Sequence, residues 1–333
     1  MMRVYFARPI FTPAEREYNA KIERMIDELG IDRPQWSVEP QDKSDRRSRA
    51  KRVFDSCMQG IEPANALLAI LTGTEVDDGT ACEMGIFYAL MEQQTARKGI
   101  IGLLDDWRTD VQSEHVQGKG LNQLLLGCIH SGGELMQTPE AAMSRLRQWR
   151  DEIESADMPS GQLTMPTSER ADSLSAQADL PFQVYFAAPQ YTPYARAFVA
   201  DCAQQLRGLG VQVYVPRARA SCHPQLPEPQ EVFERDYTQL KRSQAMVALL
   251  DGAQPDDAVA LEIGLFYGLA LEDSSKRGIL GYMTDARGVR RANQGYGCNH
   301  FPVGVIEERG YVTHQFGRIL DQVNHWCTDP ASA

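Results

Sequence analysis

The stretch ALLAILTGTEVDDGTACEMGIFYAL (66–90) and its echo AMVALLDGAQPDDAVALEIGLFYGL (245–269) decide the fold. Each opens on an unbroken apolar run, ALLAIL (66–71) or AMVALL (245–250), of a length that suits a strand buried on both faces. An acidic loop follows, and then a nearly all-apolar segment, CEMGIFYALM or LEIGLFYGLA, that reads as a buried helix. Strand, loop and helix in that order belong to βαβ units, which build a mostly parallel sheet.

Outward from this stretch the whole chain repeats. VYFARPIFTP (4–13) returns as VYFAAPQYTP (184–193), and VFDSCMQGIEPANALLAILTG (53–73) as VFERDYTQLKRSQAMVALLDG (232–252) without a gap. LNQLLLGCI (121–129), running on toward Trp149, parallels CNHFPVGVI (298–306), running on toward Trp326. Within each copy VYFA, GIIGLL (99–104) and GILGYM (278–283) read as further strands. Thr12-Pro13-Ala14-Glu15 offers an N-cap, a proline at the first helical position and a capping-box glutamate. An apolar stripe at Tyr18, Ile22, Met25, Ile26 and Leu29 follows and stops at Gly30. Phe198, Val199, Cys202, Leu206 and Leu209 repeat it before Gly210. Between the copies, 158–179 is polar and poor in large apolar residues, as a linker would be. The expected organisation is a first domain at 1–157, a linker at 158–181 and a second domain at 182–333.

The 333 residues agree with two domains at ~150 residues each. With 43% hydrophobic and 24% charged residues the chain is globular. Lys and Arg number 34 against 45 Asp and Glu, a net charge of −11, and the longest basic run is DRRSRAKR (45–52). That balance argues against binding to a nucleic-acid backbone. No apolar stretch approaches the ~20 residues of a membrane span, and MMRVYFARPIF lacks the charged and long apolar regions of a signal peptide. Seven cysteines without a CxxC pair suit reduced thiols, so a cytoplasmic protein is expected.

In a parallel sheet, ligands bind outside the carboxyl ends of the strands, so the segments after those ends carry the chemistry. Neither GxGxxG nor GxxxxGK[ST] occurs there, and there is no GxSxG or HExxH. The six histidines have no metal-ligand spacing, so neither a metal nor a cofactor is expected. Carboxylates remain: Asp77, Asp78 and Glu83 after the strand ending at Leu71, and Asp256, Asp257 and Glu262 after Leu250. Thr80 and Glu83 have capping-box spacing, so Glu83 could simply close a helix start. Val259 replaces that threonine in the second copy while Glu262 persists, which favours chemistry over capping. A carboxylate opening an apolar helix needs a compensating interaction; the positive helix end supplies one and would keep the group ionised as a nucleophile.

VYFA, an aspartate before a helix leading to the second core strand, and D-x-G-T-x-x-E-x-G after that strand resemble the nucleoside 2-deoxyribosyltransferases, whose fold the related nucleotide N-glycosidases share. The resemblance spans both copies. It implies two doubly wound, mostly parallel, flavodoxin-like (Rossmann-like) α/β domains packed as a pseudo-dimer, with a further homo-oligomer left open. It implies nucleophiles at Glu83 and Glu262, base-binding aspartates at Asp77 and Asp256, and orienting tyrosines at Tyr5 and Tyr185. Asn122 and Asn299 match the asparagine that a neighbouring subunit lends to the sugar site, so each is expected to complete the other copy's site. The further acidic residue near the base matches Asp236, which is Cys57 in the first copy. Ala258 and Val259 replace Gly79 and Thr80 in the second. Asp78 and Asp257 complete the acidic loops, while Phe11 and Tyr191 would flank a planar base. Phe87 and Tyr88 are placed for the same role, although their helical spacing suits a core.

Retention at an anomeric carbon takes one carboxylate to attack and a second group to help the base leave. The expected activity is transfer of 2-deoxyribose between nucleobases through a deoxyribosyl-glutamate, with nucleosides and free nucleobases as partners. One alternative is hydrolysis of nucleoside 5′-monophosphates. Its family members meet phosphate with serines, which EVDDGTACE and QPDDAVALE lack. Another is a nucleoside-sensing module without turnover. The Gly79-Thr80 turn tilts the choice of working half toward Glu83.

Overall fold

The computed structural model describes residues 1–34, 47–94, 96–106, 120–156, 181–216, 228–285 and 297–328. The expected linker 158–181 lies outside them except for Pro181. The first copy runs β1 (Val4–Ala7), α1 (Pro13–Glu28), α2 (Arg49–Ile61), β2 (Ala66–Ile70), α3 (Asp78–Gln93), β3 (Gly99–Leu103), α4 (Gln123–Gly132), β4 (Gly133–Met136) and α5 (Pro139–Ala156). The second runs β5 (Gln183–Ala187), α6 (Pro193–Arg207), β6 (Gln212–Tyr214), α7 (Pro229–Arg242), β7 (Ala245–Leu249), α8 (Asp257–Ala270), β8 (Gly278–Tyr282), α9 (His300–Arg309), β9 (Gly310–Thr313) and α10 (Phe316–Thr328).

Both sheets are parallel throughout. The first has the order β1-β2-β3-β4 and the second β6-β5-β7-β8-β9, the doubly wound order of flavodoxin-like folds. Where the second copy has β6, the described residues of the first show a single parallel bridge, between Arg3 and Asp32. Three strands escaped the sequence reading: β4, β6 and β9 are three or four residues long and half-buried or exposed along most of their length, with no continuous apolar run.

Side chains of β1 and β2 alternate between two cores. Val4, Phe6, Leu68 and Ile70 face α1 and α5, while Tyr5, Ala7, Leu67 and Ala69 face inward. In the second copy α6 and α10 cover the outer face. The capping box at Thr12 and Glu15 forms as expected. Two details of the apolar stripes differ from expectation. Asn19 is buried, because its Nδ2 donates to the Pro9 carbonyl at 2.7 Å and tethers the loop after β1. Phe198 sits at the stripe's margin, 38% exposed and stacked on Tyr282.

The inward faces of both copies share one continuous core. Helices α3 and α8 cross at Gly85 and Gly264. A Cβ on Gly85 would fall 2.3 Å from the Leu261 carbonyl oxygen, and one on Gly264 would fall 2.0 Å from that of Cys82. Only glycine permits so close an approach of two backbones. On either side α4 meets α7 and α2 meets α9 with equivalent residues in contact, Gly127 on Phe233 and Gly304 on Phe54. The two copies are therefore related by a pseudo-twofold axis through the α3–α8 crossing, as in an isologous dimer. Phe87 and Tyr88 belong to this core, with Tyr88 set edge-on against Phe233 and Tyr237, and are not available to flank a base.

A buried cation ends the second helix of each copy. Arg97 donates to the carbonyls of Ile61, Glu62 and Ala64; Lys276 donates to those of Leu240, Lys241 and Ser243. These side chains satisfy carbonyls that a helix C-terminus leaves without partners.

Candidate active site

Each copy places a glutamate under the end of its first strand. The Tyr5 hydroxyl donates to Glu83 at 2.6 Å, and the Tyr185 hydroxyl donates to Glu262 at 2.6 Å. Both pairs are buried. The helices begin earlier than a Thr80 cap would have them: Asp77 and Asp256 are the N-caps of α3 and α8. Glu83 and Glu262 consequently lie in the second turn, and their compensation comes from a tyrosine hydroxyl in addition to any helix dipole. Neither environment favours the ionised form. Burial, against the Tyr5 and Cys57 hydrogen bonds, pushes Glu83 up to about 8, and burial raises Glu262 well above the usual carboxylate range.

The cap aspartates do two jobs. Asp77 Oδ2 accepts the Thr80 amide at 2.8 Å and its hydroxyl at 3.1 Å, while Asp256 Oδ1 accepts the amides of Ala258 and Val259 at 3.0 and 3.2 Å. The remaining oxygen of Asp77 turns toward the other copy, and that of Asp256 toward Tyr191 of its own. Asn299 Nδ2 donates to Asp77 Oδ1 at 3.2 Å. Asn122 Nδ2 lies 3.2 Å from the Tyr191 hydroxyl, which donates to Asp256 Oδ2 at 2.6 Å. Each asparagine thus stands beside the opposite copy's aspartate, and each also caps its own helix, accepting the amide of Leu124 or Phe301 at 3.0 Å. The turn role and the exchange role coexist.

The neighbouring carboxyls are raised. Asp78 and Asp257 are both pushed up to about 7, first by burial and then by the charge of the adjacent cap aspartate. Asp236 is buried, accepting the Tyr214 hydroxyl at 2.5 Å and the Arg235 guanidinium at 2.8 and 2.9 Å. In the first copy Cys57 takes its place and hydrogen-bonds Glu83.

A cavity of about 470 Å³ opens over Glu262, within the range of small-ligand sites. Its wall combines Asp236, Asp256, Asp257 and Tyr191 of the second copy with Asn122 and Glu75 of the first. Phe11 has no part in it and is 62% exposed. The sequence reading tilts toward Glu83, while this cavity, formed among the described residues, lies over Glu262. Tyr214 and Arg235 are functional candidates that the sequence reading missed. The signal available was the alternation of VQVYVP (211–216), which marks a strand delivering Tyr214 to Asp236. Among the described residues no cluster of three or more His, Cys, Asp or Glu is placed to hold a metal, and no helix is long and apolar enough to cross a membrane.

The family model described as nucleoside 2-deoxyribosyltransferase matches residues 4–124 and again 184–322. No curated protein matches the chain. Among solved structures, a conserved protein from Enterococcus faecalis V583 aligns at 23% identity, covering 44% of this chain and 99% of its own, with a TM-score of 0.38. A 2-desoxiribosyltransferase from Leishmania mexicana aligns at 17% identity over 44% of this chain and 98% of its own, with a TM-score of 0.33.

Proposed function

We propose, from the premise that this chain belongs to the nucleoside 2-deoxyribosyltransferase family, that it moves 2-deoxyribose between nucleobases through a covalent ester on Glu262 and, in the other half, on Glu83. The observation that carries the reading is the Tyr185–Glu262 pair at the floor of a cavity walled by the other copy's Asn122. In its ionised form, the minority form in so buried a place, Glu262 attacks the anomeric carbon through a carboxylate oxygen as the bond to the base nitrogen breaks, and the electron pair leaves on that nitrogen. Tyr185 fixes the attacking oxygen. Asp257, held up to about 7, carries a proton near neutrality and is the candidate acid for the departing base, with Asp256 beside it as base-binding group. Asn122 then meets the sugar. A second base then attacks the same anomeric carbon through a ring nitrogen and passes its N–H proton to Asp257, and the carbon–oxygen bond to Glu262 breaks to free the glutamate.

Substrate charge follows from the same wall. Among the described residues, five carboxyl groups, Glu75, Asp236, Asp256, Asp257 and Glu262, face the cavity against one guanidinium, and Arg235 is already paired with Asp236. A phosphate would meet uncompensated negative charge, so a 2′-deoxynucleoside is preferred to its 5′-monophosphate. Incubating the protein with a deoxynucleoside and a second free base distinguishes exchange, hydrolysis and mere binding. Exchange that is lost in the Glu83→Ala/Glu262→Ala double variant supports the covalent scheme; undiminished exchange refutes it. A higher kcat/KM for the monophosphate overturns the charge argument.

A further inference from the structure

Three of the differences between the two sites, all around the cap aspartate, form a set. Phe11, Gly79 and Thr80 of the first copy become Tyr191, Ala258 and Val259 in the second. At Asp77 the two side-chain donors are the Thr80 hydroxyl and the Asn299 amide. Neither survives at Asp256. Val259 has no hydroxyl. The asparagine is excluded sterically: a Cβ on Gly79 would lie 2.4 Å from Asn299 Nδ2, so the methyl group that Ala258 carries occupies the place where the other copy's amide sits in the first site. Real carbon–nitrogen contacts that short do not occur, and Asn122 stands off accordingly, with Nδ2 on the Tyr191 oxygen.

The Tyr191 hydroxyl fills both gaps, donating to Asp256 Oδ2 and accepting from Asn122. The hydroxyl and not the ring is what distinguishes the position, because Phe11 and Tyr191 are about equally exposed, at 62% and 66%. We infer that Tyr191 is a positioning residue of the second site, its hydroxyl relaying the hold of Asn122 onto Asp256 where the first site uses a direct contact. The relay rests on the reading of Glu262 as a working nucleophile, and its consequence is that Tyr191 and Ala258 are coupled: the tyrosine is needed because the methyl group is there.

The test uses the full chain carrying Glu83→Ala, so that only the second site turns over, and reads deoxynucleoside–base exchange. Tyr191→Phe lowers kcat/KM about tenfold, the effect of one hydrogen bond to a charged group. Adding Ala258→Gly removes the methyl group, lets Asn122 reach Asp256 directly and restores kcat/KM to within about threefold of the parent by the same arithmetic. Adding Asn122→Ala to that pair abolishes the rescue. A merely structural tyrosine would not be rescued by deleting a methyl group elsewhere. Tyr191→Phe at parental activity, or an Ala258→Gly addition without rescue, overturns the relay. If the Glu83→Ala parent shows no exchange while the unaltered chain does, the reading of Glu262 fails instead. The relay is then judged by thermal unfolding of Asn122→Ala, Tyr191→Phe and the double variant: losses smaller than additive support it, and strictly additive losses refute it.

Discussion

Replacing Gly264 with alanine tests the pseudo-dimer at its tightest point. The new Cβ would lie 2.0 Å from the Cys82 carbonyl oxygen and 3.0 Å from the Ile86 nitrogen, both backbone atoms of α3 in the other copy. No side chain can swing away, so α3 and α8 must separate by roughly 1 Å to restore ordinary contact. Overpacking of this kind costs about 1–3 kcal/mol, and at about 2–4 °C per kcal/mol for a protein of this size Tm should fall by about 3–10 °C. Exchange should fall as well, because Glu262 stands two residues before the clash on the same helix. Gly317→Ala is the control, since a Cβ there meets nothing within 4 Å and φ is ordinary; it should be neutral or slightly stabilising. Scanning calorimetry of the two variants decides. A Gly264→Ala protein with unchanged Tm would refute the close crossing and with it the axis that brings each asparagine to the opposite site.

Lys276→Met should cost about 1–3 kcal/mol in denaturant unfolding, because three carbonyls at the end of α7 lose their donor, whereas Lys276→Arg should be mild, since Arg97 does the same work in the first copy; a silent methionine variant refutes the capping role. Exchange through Glu83, measured in a Glu262→Ala chain, should rise with pH through about 8 as the buried carboxyl ionises, and a flat profile between pH 6 and 9 would be inconsistent with that burial. Stability runs the other way. Glu83 is raised above its unfolded value, so its protonated form favours the folded state below about 4.5, and this contribution is lost as pH rises through about 8; Glu83→Gln should therefore gain on the parent protein across that window in urea titrations.

The repeat, the parallel sheets and the strand-end carboxylates were legible because they rest on local patterns: apolar runs, the Thr12–Glu15 box, and one acidic loop written twice. What was not legible depends on which side of an element a residue faces. The spacing of Phe87 and Tyr88 suited a core while leaving a base-flanking role open, and the packing of α3 against α7 and α8 is what closes it. Asp77 displaces Thr80 as the cap because its carboxylate reaches the Thr80 amide, a choice that spacing alone leaves open between two good capping residues. The ionisation expected of the nucleophiles is opposed by their burial, whose depth depends on groups that other elements bring in, such as Tyr5 and Cys57 beside Glu83, and that the loop's own spacing does not show. Tyr191 was visible as an aromatic near the site, but its hydroxyl gains meaning only beside the methyl of Ala258 and an amide 69 residues away.

Crosswise completion also changes how the protein can vary. In a dimer of identical subunits every substitution is written twice, into both sites at once, and a change that harms one harms the other. Here each half carries its own copy of the cap loop, so a trial such as alanine for glycine at position 258 falls on one site while the other continues. The asparagines obey a different rule. Asn122 stands over the second site and Asn299 over the first, so damage to one half's asparagine is felt in the opposite half's site. Under the proposed function, a lineage that silenced Glu83 would therefore release Asn299, in the second half, from selection at the first site, while Asn122, in the silenced half, would still be held at the second. Decay of one site in this chain would be inherited diagonally, leaving each half a mosaic of retained and abandoned residues.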